Sequence, residues 1–326
     1  MLGRVTRTHI PAEVLDLAHA RARARDERNW PEADRLRAEI EAVGWQIVDR
    51  GTDFALTPAA AATVEDEGGV RYGSSDAVPS RLAEPATGLA TVILVATDWP
   101  ADLERALDAV TSTSPEGMAV VVVADGPSDD QASALAAVAA RPGVEVVRMS
   151  QRLGQGAAVN AGFRRSTGPV VIVLDTSVEP RGDVVSPLVR ALDDATVGVA
   201  GGWGIVSDDL RRFTEARAGD VTAIEGYALA FRRADGAERG PLDERFRYYR
   251  NLDIWWSLVL RDQGEDAPPR RAVAVELPAE RHDHRGWTSL PEDERDRLSK
   301  RNFYRIIDRF GARRDLAGTG GSGTGG

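Results

Sequence analysis

The sequence predicts an α/β fold built on a mostly parallel sheet, preceded by a small helical hairpin module. Two observations carry this. From residue 89 onward, short apolar runs rich in β-branched residues alternate with helical segments. The run Pro169–Leu174 then stops at Asp175, and a buried strand that delivers a carboxylate to its C-terminal end is how open α/β sheets present chemistry to a ligand.

The elements follow in order. Residues 1–58 read as a self-contained helical hairpin plus β-hairpin module. Pro11 opens the helical stretch PAEVLDLAHARARARDERNW, and a second helix begins near Pro31, with Trp30, Ala33, Leu36 and Ile40 at helical spacing. Gly44 stops it, and WQIVDRGTDFAL reads as a hairpin turning at Arg50–Gly51. The run NWPEADRLRAEIEAVGWQIVDRGTDFAL resembles the C-terminal end of cysteinyl-tRNA synthetases. Its nearly balanced charges favour a packing hairpin over an RNA-contacting module. Residues 59–88, rich in Ala, Gly, Ser and Pro without a period, read as a linker.

In the domain over residues 89–312, ATVILVAT, AVVVVAD, VEVVRM and PVVIVLD read as strands. The intervening PADLERALDAVTS, DDQASALAAVAAR and AAVNAGFRRS read as helices, as does VVSPLVRALDD after Asp175. Residues 313–326 form a Gly-rich tail with no core-forming pattern.

Composition narrows the function classes. Asp and Glu total 51 against 41 Lys and Arg, a net charge of −10, which argues against general nucleic-acid binding. The absence of cysteine excludes disulfides, thiolate catalysis and zinc–thiolate sites. No run approaches the roughly 18–20 apolar residues of a membrane span, and no signal-peptide core opens the chain. A cytoplasmic protein is the expectation. A basic helix from about Pro291, with Arg295, Arg297, Lys300, Arg301, Arg305 and Arg309, leaves room for a diphosphate or for peripheral contact with an anionic membrane at the inner face.

Ligands in such sheets bind beyond the strand ends. The first ends at Asp98, the second at Asp125 to Asp130, the third at Asp175 to Ser177. Asp98 and Ser128 also suit helix caps. Asp125, Ser128 and Asp130 keep a D-x-x-S-x-D spacing, although a register that keeps a glycine at Gly126 places Ala124 at the first acidic position. Gly154, Gly156, Asn160, Gly162 and Gly168 fit G-x-G-x-x-x-N-x-G and the glycine after it without a gap.

Together, residues 89–285 resemble family 2 glycosyltransferases of the GT-A fold, a Rossmann-like nucleotide-diphospho-sugar transferase architecture. The resemblance implies that Asp98, Asp125, Arg152, Gly154, Asn160, Asp175 and Ser177 contact a nucleotide-diphosphate sugar. It implies a divalent cation, Mn or Mg, at Asp175 with His284, and Asp253 as general base toward an acceptor hydroxyl. The family's D-x-D motif stands here as Asp175–Thr176–Ser177, and a neutral hydroxyl is a poor ligand for a hard cation, so metal binding should be weakened. The acidic pair that usually carries the base has Leu252 in place of its glutamate, and a register with Asn251 at the aspartate would lose the base altogether. Counting back from Gly264 favours Asp253, with Trp255 and Trp256 to desolvate it. His282 and His284 stand at strand-like spacing, which points both rings to one side for a metal. The implied function is an inverting glycosyltransferase. The alternative is a non-catalytic nucleotide-sugar sensor or assembly module, which Ser177 and Leu252 support.

Overall fold

In the computed structural model the chain divides into two compact units, Met1–Ala62 and Thr63–Gly326. Residues 10–43, 45–50, 53–58, 62–66, 69–216, 218–264 and 266–318 are described. Gly44, Gly51 and residues 319–326 of the tail lie outside them.

In the first unit, α1 (Ala12–Asp26) packs with α2 (Trp30–Ala42), and β1 (Trp45–Arg50) pairs antiparallel with β2 (Asp53–Pro58). Asn29 caps α2 by accepting from the Glu32 N–H at 3.4 Å. Val14, Ala18, Ile40, Trp45 and Ile47 form its core. Ala33 and Leu36 are buried with Ala24 in a second small cluster, whereas Trp30 is 55% exposed. As the first helical residue, Trp30 lies under the Arg25 guanidinium rather than inside.

The second unit begins with β3 (Val64–Asp66), β4 (Gly69–Tyr72), β5 (Ala90–Ala96), α3 (Pro100–Thr113), β6 (Met118–Ala124), α4 (Asp129–Ala139) and β7 (Val144–Met149). It continues through α5 (Gln155–Arg165), β8 (Val170–Leu174), β9 (Val178–Pro180), α6 (Val185–Asp193), β10 (Val197–Gly201), β11 (Gly204–Val206) and β12 (Thr214–Ala216). Next come β13 (Gly219–Val221), β14 (Ala223–Ile224), β15 (Ala228–Arg232), α7 (Arg233–Arg239) and α8 (Leu252–Arg261). Last are β16 (Arg271–Ala274), β17 (Ala279–Arg281), α9 (Arg285–Thr288) and α10 (Glu292–Phe310).

The main sheet has the order β13-β16-β10-β15-β8-β5-β6-β7-β4-β3. Its centre, β8-β5-β6-β7-β4, is parallel throughout. Successive residues of β5 serve opposite faces. Val92 and Leu94 pack with Leu103, Leu107 and Leu188 from α3 and α6, while Ile93 packs with Phe163 and Trp256 from α5 and α8. Burial on both faces explains the unbroken apolar runs.

The segment read as a linker is in part structure. β4 adds to the sheet beside β7, Val78 is fully buried, and the Arg81 N–H donates to the Arg164 carbonyl at 2.7 Å. That pairing is non-local, so composition alone does not report it. The basic helix stands away from the cavities. Arg305 lies over Phe246 and Arg309 over Trp255, and none of the α10 arginines lines either cavity described below. Among the described residues no helix is long and apolar enough to cross a membrane.

Candidate active site

The carboxyl ends of β5, β6 and β8 open into a cavity of about 240 Å³ whose wall includes Asp98, Asp125, Arg152, Gly154, Asp175 and Ser177. Of the residues expected to contact a nucleotide sugar, Asn160 alone is missing from this wall.

Asp125, only 2% exposed, holds the loop after β7. Its Oδ1 accepts from the Leu153 N–H at 2.7 Å and its Oδ2 from the Gly154 N–H at 2.9 Å. Burial pushes this carboxyl up, and the two backbone donors offset part of the effect. Both oxygens thus accept from the protein's own backbone, while Asp125 also stands on the cavity wall. Arg152 closes the same corner, donating to Asp98 at 2.7 Å and to the Gly126 carbonyl at 2.9 Å. Gly126 has φ +55°, and a Cβ there would stand 2.3 Å from the Arg152 nitrogen. Of the D-x-x-S-x-D run, Asp125 alone faces the cavity. Ser128 caps α4 by accepting from the Gln131 N–H at 3.3 Å, and Asp130 is exposed.

Gly154 enters α5 at φ +103°, and a Cβ would fall 2.5 Å from the Arg247 Cα. The loop therefore rests directly on the Phe246–Arg247 backbone, which accepts from the Gly156 and Gln155 N–H groups at 3.0 Å each. Asn160 fixes the same segment from inside the helix. Its amide donates to the Leu242 carbonyl at 2.9 Å and to Glu244 at 3.0 Å, and its oxygen accepts from the Leu242 N–H at 2.8 Å. Asn160 is 2% exposed and does not line the cavity; through these bonds it holds the Leu242–Glu244 segment.

The antiparallel pair β9–β17 brings the late histidines back to the third strand end. His284 Nε2 lies 3.2 Å from Asp175 Oδ2, and its ring stacks on Tyr249 at 4.0 Å. Ser177 donates to Asp175 Oδ1 through its N–H at 2.8 Å and its hydroxyl at 2.5 Å. Burial would raise the Asp175 carboxyl, but the hydrogen bonds and charge of His284, with those of Ser177, hold it below the usual range. His282 does not share this partner. It pairs with Glu179 at 2.7 Å, so the two rings serve different carboxylates and do not form one ligand pair. Glu179, Glu280 and His282 do lie close enough to ligate a cation, yet Arg181 bridges both glutamates at 2.6 Å, supplying the charge an ion would bring. Asp175 and His284 are the better donors. With the proton between them lost, they would offer one oxygen and one imidazole nitrogen to a shared space, which fits a cation that draws its other ligands from a diphosphate and water.

A second cavity of about 320 Å³ adjoins the first, and Gln155, Val173, Asp175, Gly226, Tyr249 and His284 line both. Asp253, in the first turn of α8, lies on its wall. Asp253 Oδ2 accepts from the Gly226 N–H at 2.8 Å and Oδ1 from the Ile254 N–H at 2.9 Å. Burial outweighs these donors and raises the carboxyl. Trp256 lines the cavity as well, whereas Trp255 packs on Phe246 in the core. Sequence reading missed Glu225, Tyr249 and Arg250, which stand on turns between short elements and follow no period. Burial, reinforced by the charge of Asp253, pushes Glu225 up to about 7.

Comparison with known proteins follows from this geometry. Residues 91–252 match the model of Glycosyl transferase family 2. An undecaprenyl-phosphate 4-deoxy-4-formamido-L-arabinose transferase of Serratia proteamaculans is 33% identical over 97 residues, covering 29% of each chain. The chain thus spans under a third of that relative's length. The structure of GalNAc-T7 with UDP, GalNAc and Mn2+ superposes with a TM-score of 0.55 at 16% identity, over 68% of this chain and 48% of that one. A Pyrobaculum calidifontis mannosyltransferase with GDP-Man and Mn2+ gives 0.53 at 18% identity, over 73% and 70%. With its strand-end cavity and these matches, the chain has a GT-A fold, within which residues 91–252 match glycosyltransferase family 2.

Proposed function

We propose that this chain transfers a sugar from a nucleotide-diphosphate donor to an acceptor hydroxyl with inversion at the anomeric carbon. The observation that carries the reading is the wall shared by the two cavities. Asp175 and His284 stand on it, and Asp253 lines the second cavity, hydrogen-bonded to Gly226 of the same wall. In this reading the donor occupies the first cavity, beside Asp98, Arg152 and Ser177. The acceptor enters the second, where Asp253 takes the hydroxyl proton. The acceptor oxygen attacks the anomeric carbon as the bond to the diphosphate oxygen breaks, and the electron pair leaves with the diphosphate. Arg285, on the first cavity's wall, lies close enough to that cavity to offset developing negative charge. Asp175 and His284 would hold a divalent cation, which supplies electrostatic stabilisation of the leaving group when bound. Manganese suits a mixed oxygen and nitrogen donor pair better than magnesium, and both solved neighbours were determined with Mn2+.

The deciding experiment is Asp253→Asn. Transfer or donor hydrolysis should fall by about 10²–10⁴-fold, the usual weight of a general base, while UDP or GDP binding persists. Turnover retained within about threefold would remove Asp253 from the mechanism. The engagement of both Asp253 oxygens by backbone donors favours a second reading, a nucleotide-sugar sensor. Donor binding without turnover across a broad acceptor panel supports that one.

A further inference from the structure

We propose that the second cavity takes a non-anionic acceptor, a neutral or amine-bearing polyol, and that Glu225 is the side chain that turns phosphate- and carboxylate-bearing acceptors away. The inference rests on the glycosyltransferase reading and goes beyond it by assigning the acceptor's charge class.

Three carboxylates, Glu215, Glu225 and Asp253, line this cavity in addition to Asp175. Against these four carboxylates stand two lining cations, His284 and Arg250, and the charge of Arg250 acts on both Glu225 and Asp253 without cancelling the acidic excess. His284 is paired with Asp175, and the Arg250 guanidinium lies 4.8 Å over the Trp287 ring. Arg281 approaches Glu225 only to 3.9 Å and lies over Tyr227 and Trp203. Glu225 and Asp253 are joined through one turn, because the N–H of Gly226, the residue after Glu225, donates to Asp253. Burial raises both carboxyls, and the charge of Asp253 raises that of Glu225 further.

The remaining wall suits an uncharged ring compound. Ile205, Phe213, Leu229 and Trp256 supply apolar surface. A phosphate placed there would meet like charge in a low-dielectric pocket, whereas a hydroxyl or ammonium would find acceptors.

The test uses the full chain at pH 8 with two probes of equal tail length, octyl β-D-glucoside and octyl phosphate, each titrated calorimetrically. UDP and GDP are titrated separately to report the donor cavity. The glucoside should bind at least about tenfold tighter than the phosphate, and Glu225→Gln should cut that ratio below about threefold. Glu215→Gln, at an exposed position, should move the ratio in the same direction by less, and it serves if the buried substitution impairs folding. Equal or tighter binding of octyl phosphate, binding of neither probe, or a ratio unmoved in folded variants would overturn the inference. Failure of both nucleotides to bind would instead remove the donor reading, an outcome visible apart from the probe ratio.

Discussion

His284 Nε2 lies 3.2 Å from Asp175 Oδ2 while the imidazole face stacks on Tyr249 at 4.0 Å and 17°. The ring is therefore fixed in both position and tilt. Burial alone would lower its pKa, but the hydrogen bond and charge of Asp175 prevail and raise it. A raised imidazole stabilises the fold fully below its ordinary value of 6.5 and loses that contribution as pH climbs through the raised value. His284→Gln should therefore destabilise more at pH 6 than at pH 9, by about 1 kcal/mol. Thermal melts of the two proteins at both pH values decide it, and an equal loss at both would refute the ion pair.

Ser177→Asp should restore a cation site at a cost to the metal-free protein. The hydroxyl now donates to Asp175, and an aspartate would set like charges side by side in a nearly closed space. Melting temperature should fall without metal by several degrees, about 1–2 kcal/mol. Added Mn2+ should recover it and bind at least about tenfold tighter than to the parent. Manganese titration by calorimetry, with UDP present, is the check.

Gly154→Ala tests the seat of the loop. The substitution meets both a left-handed φ of +103° and a contact of 2.5 Å with the Arg247 backbone. A loss of about 2–4 kcal/mol in chemical denaturation is expected, with weaker nucleotide binding. A neutral effect would mean that the loop and the Arg247 segment part readily.

Glu225→Gln should stabilise the protein above neutrality. The folded carboxyl titrates near 7 against an ordinary value of 4.5. Stability is therefore full below the ordinary value and declines as pH rises through 7. An uncharged glutamine escapes that penalty, so its advantage should be about 1–3 kcal/mol at pH 8 and vanish near pH 4. Parallel urea titrations at the two pH values measure it, and a variant less stable at pH 8 would contradict the assignment.

The legible parts of this molecule are local ones. The β5, β6 and β8 strands announce themselves as unbroken apolar runs because both sheet faces are covered, and Asp175 follows because it ends one of them. The glycines of the block from Gly154 to Gly168 are each required by a backbone or side chain closer than a Cβ allows, at 2.4 to 2.8 Å. Glu225 and Tyr249 are illegible for the opposite reason. They reach the cavities through antiparallel β15 and the chain entering α8, pairings that leave no period behind. Asn160 shows a subtler limit. Its place in the motif is plain, but its partners Leu242 and Glu244 are more than 80 positions away and known only from the fold.

The wall common to the two cavities also sets how this protein can be re-engineered. Residues such as Asp175, Tyr249 and His284 touch both spaces, so on the proposed function a change there would alter donor and acceptor handling at once. Ile205, Phe213 and Glu215 line only the second cavity and sit on or beside the short strands β11 and β12. On the proposed function, a combinatorial library aimed at the acceptor alone belongs at those positions, because they leave the first cavity untouched.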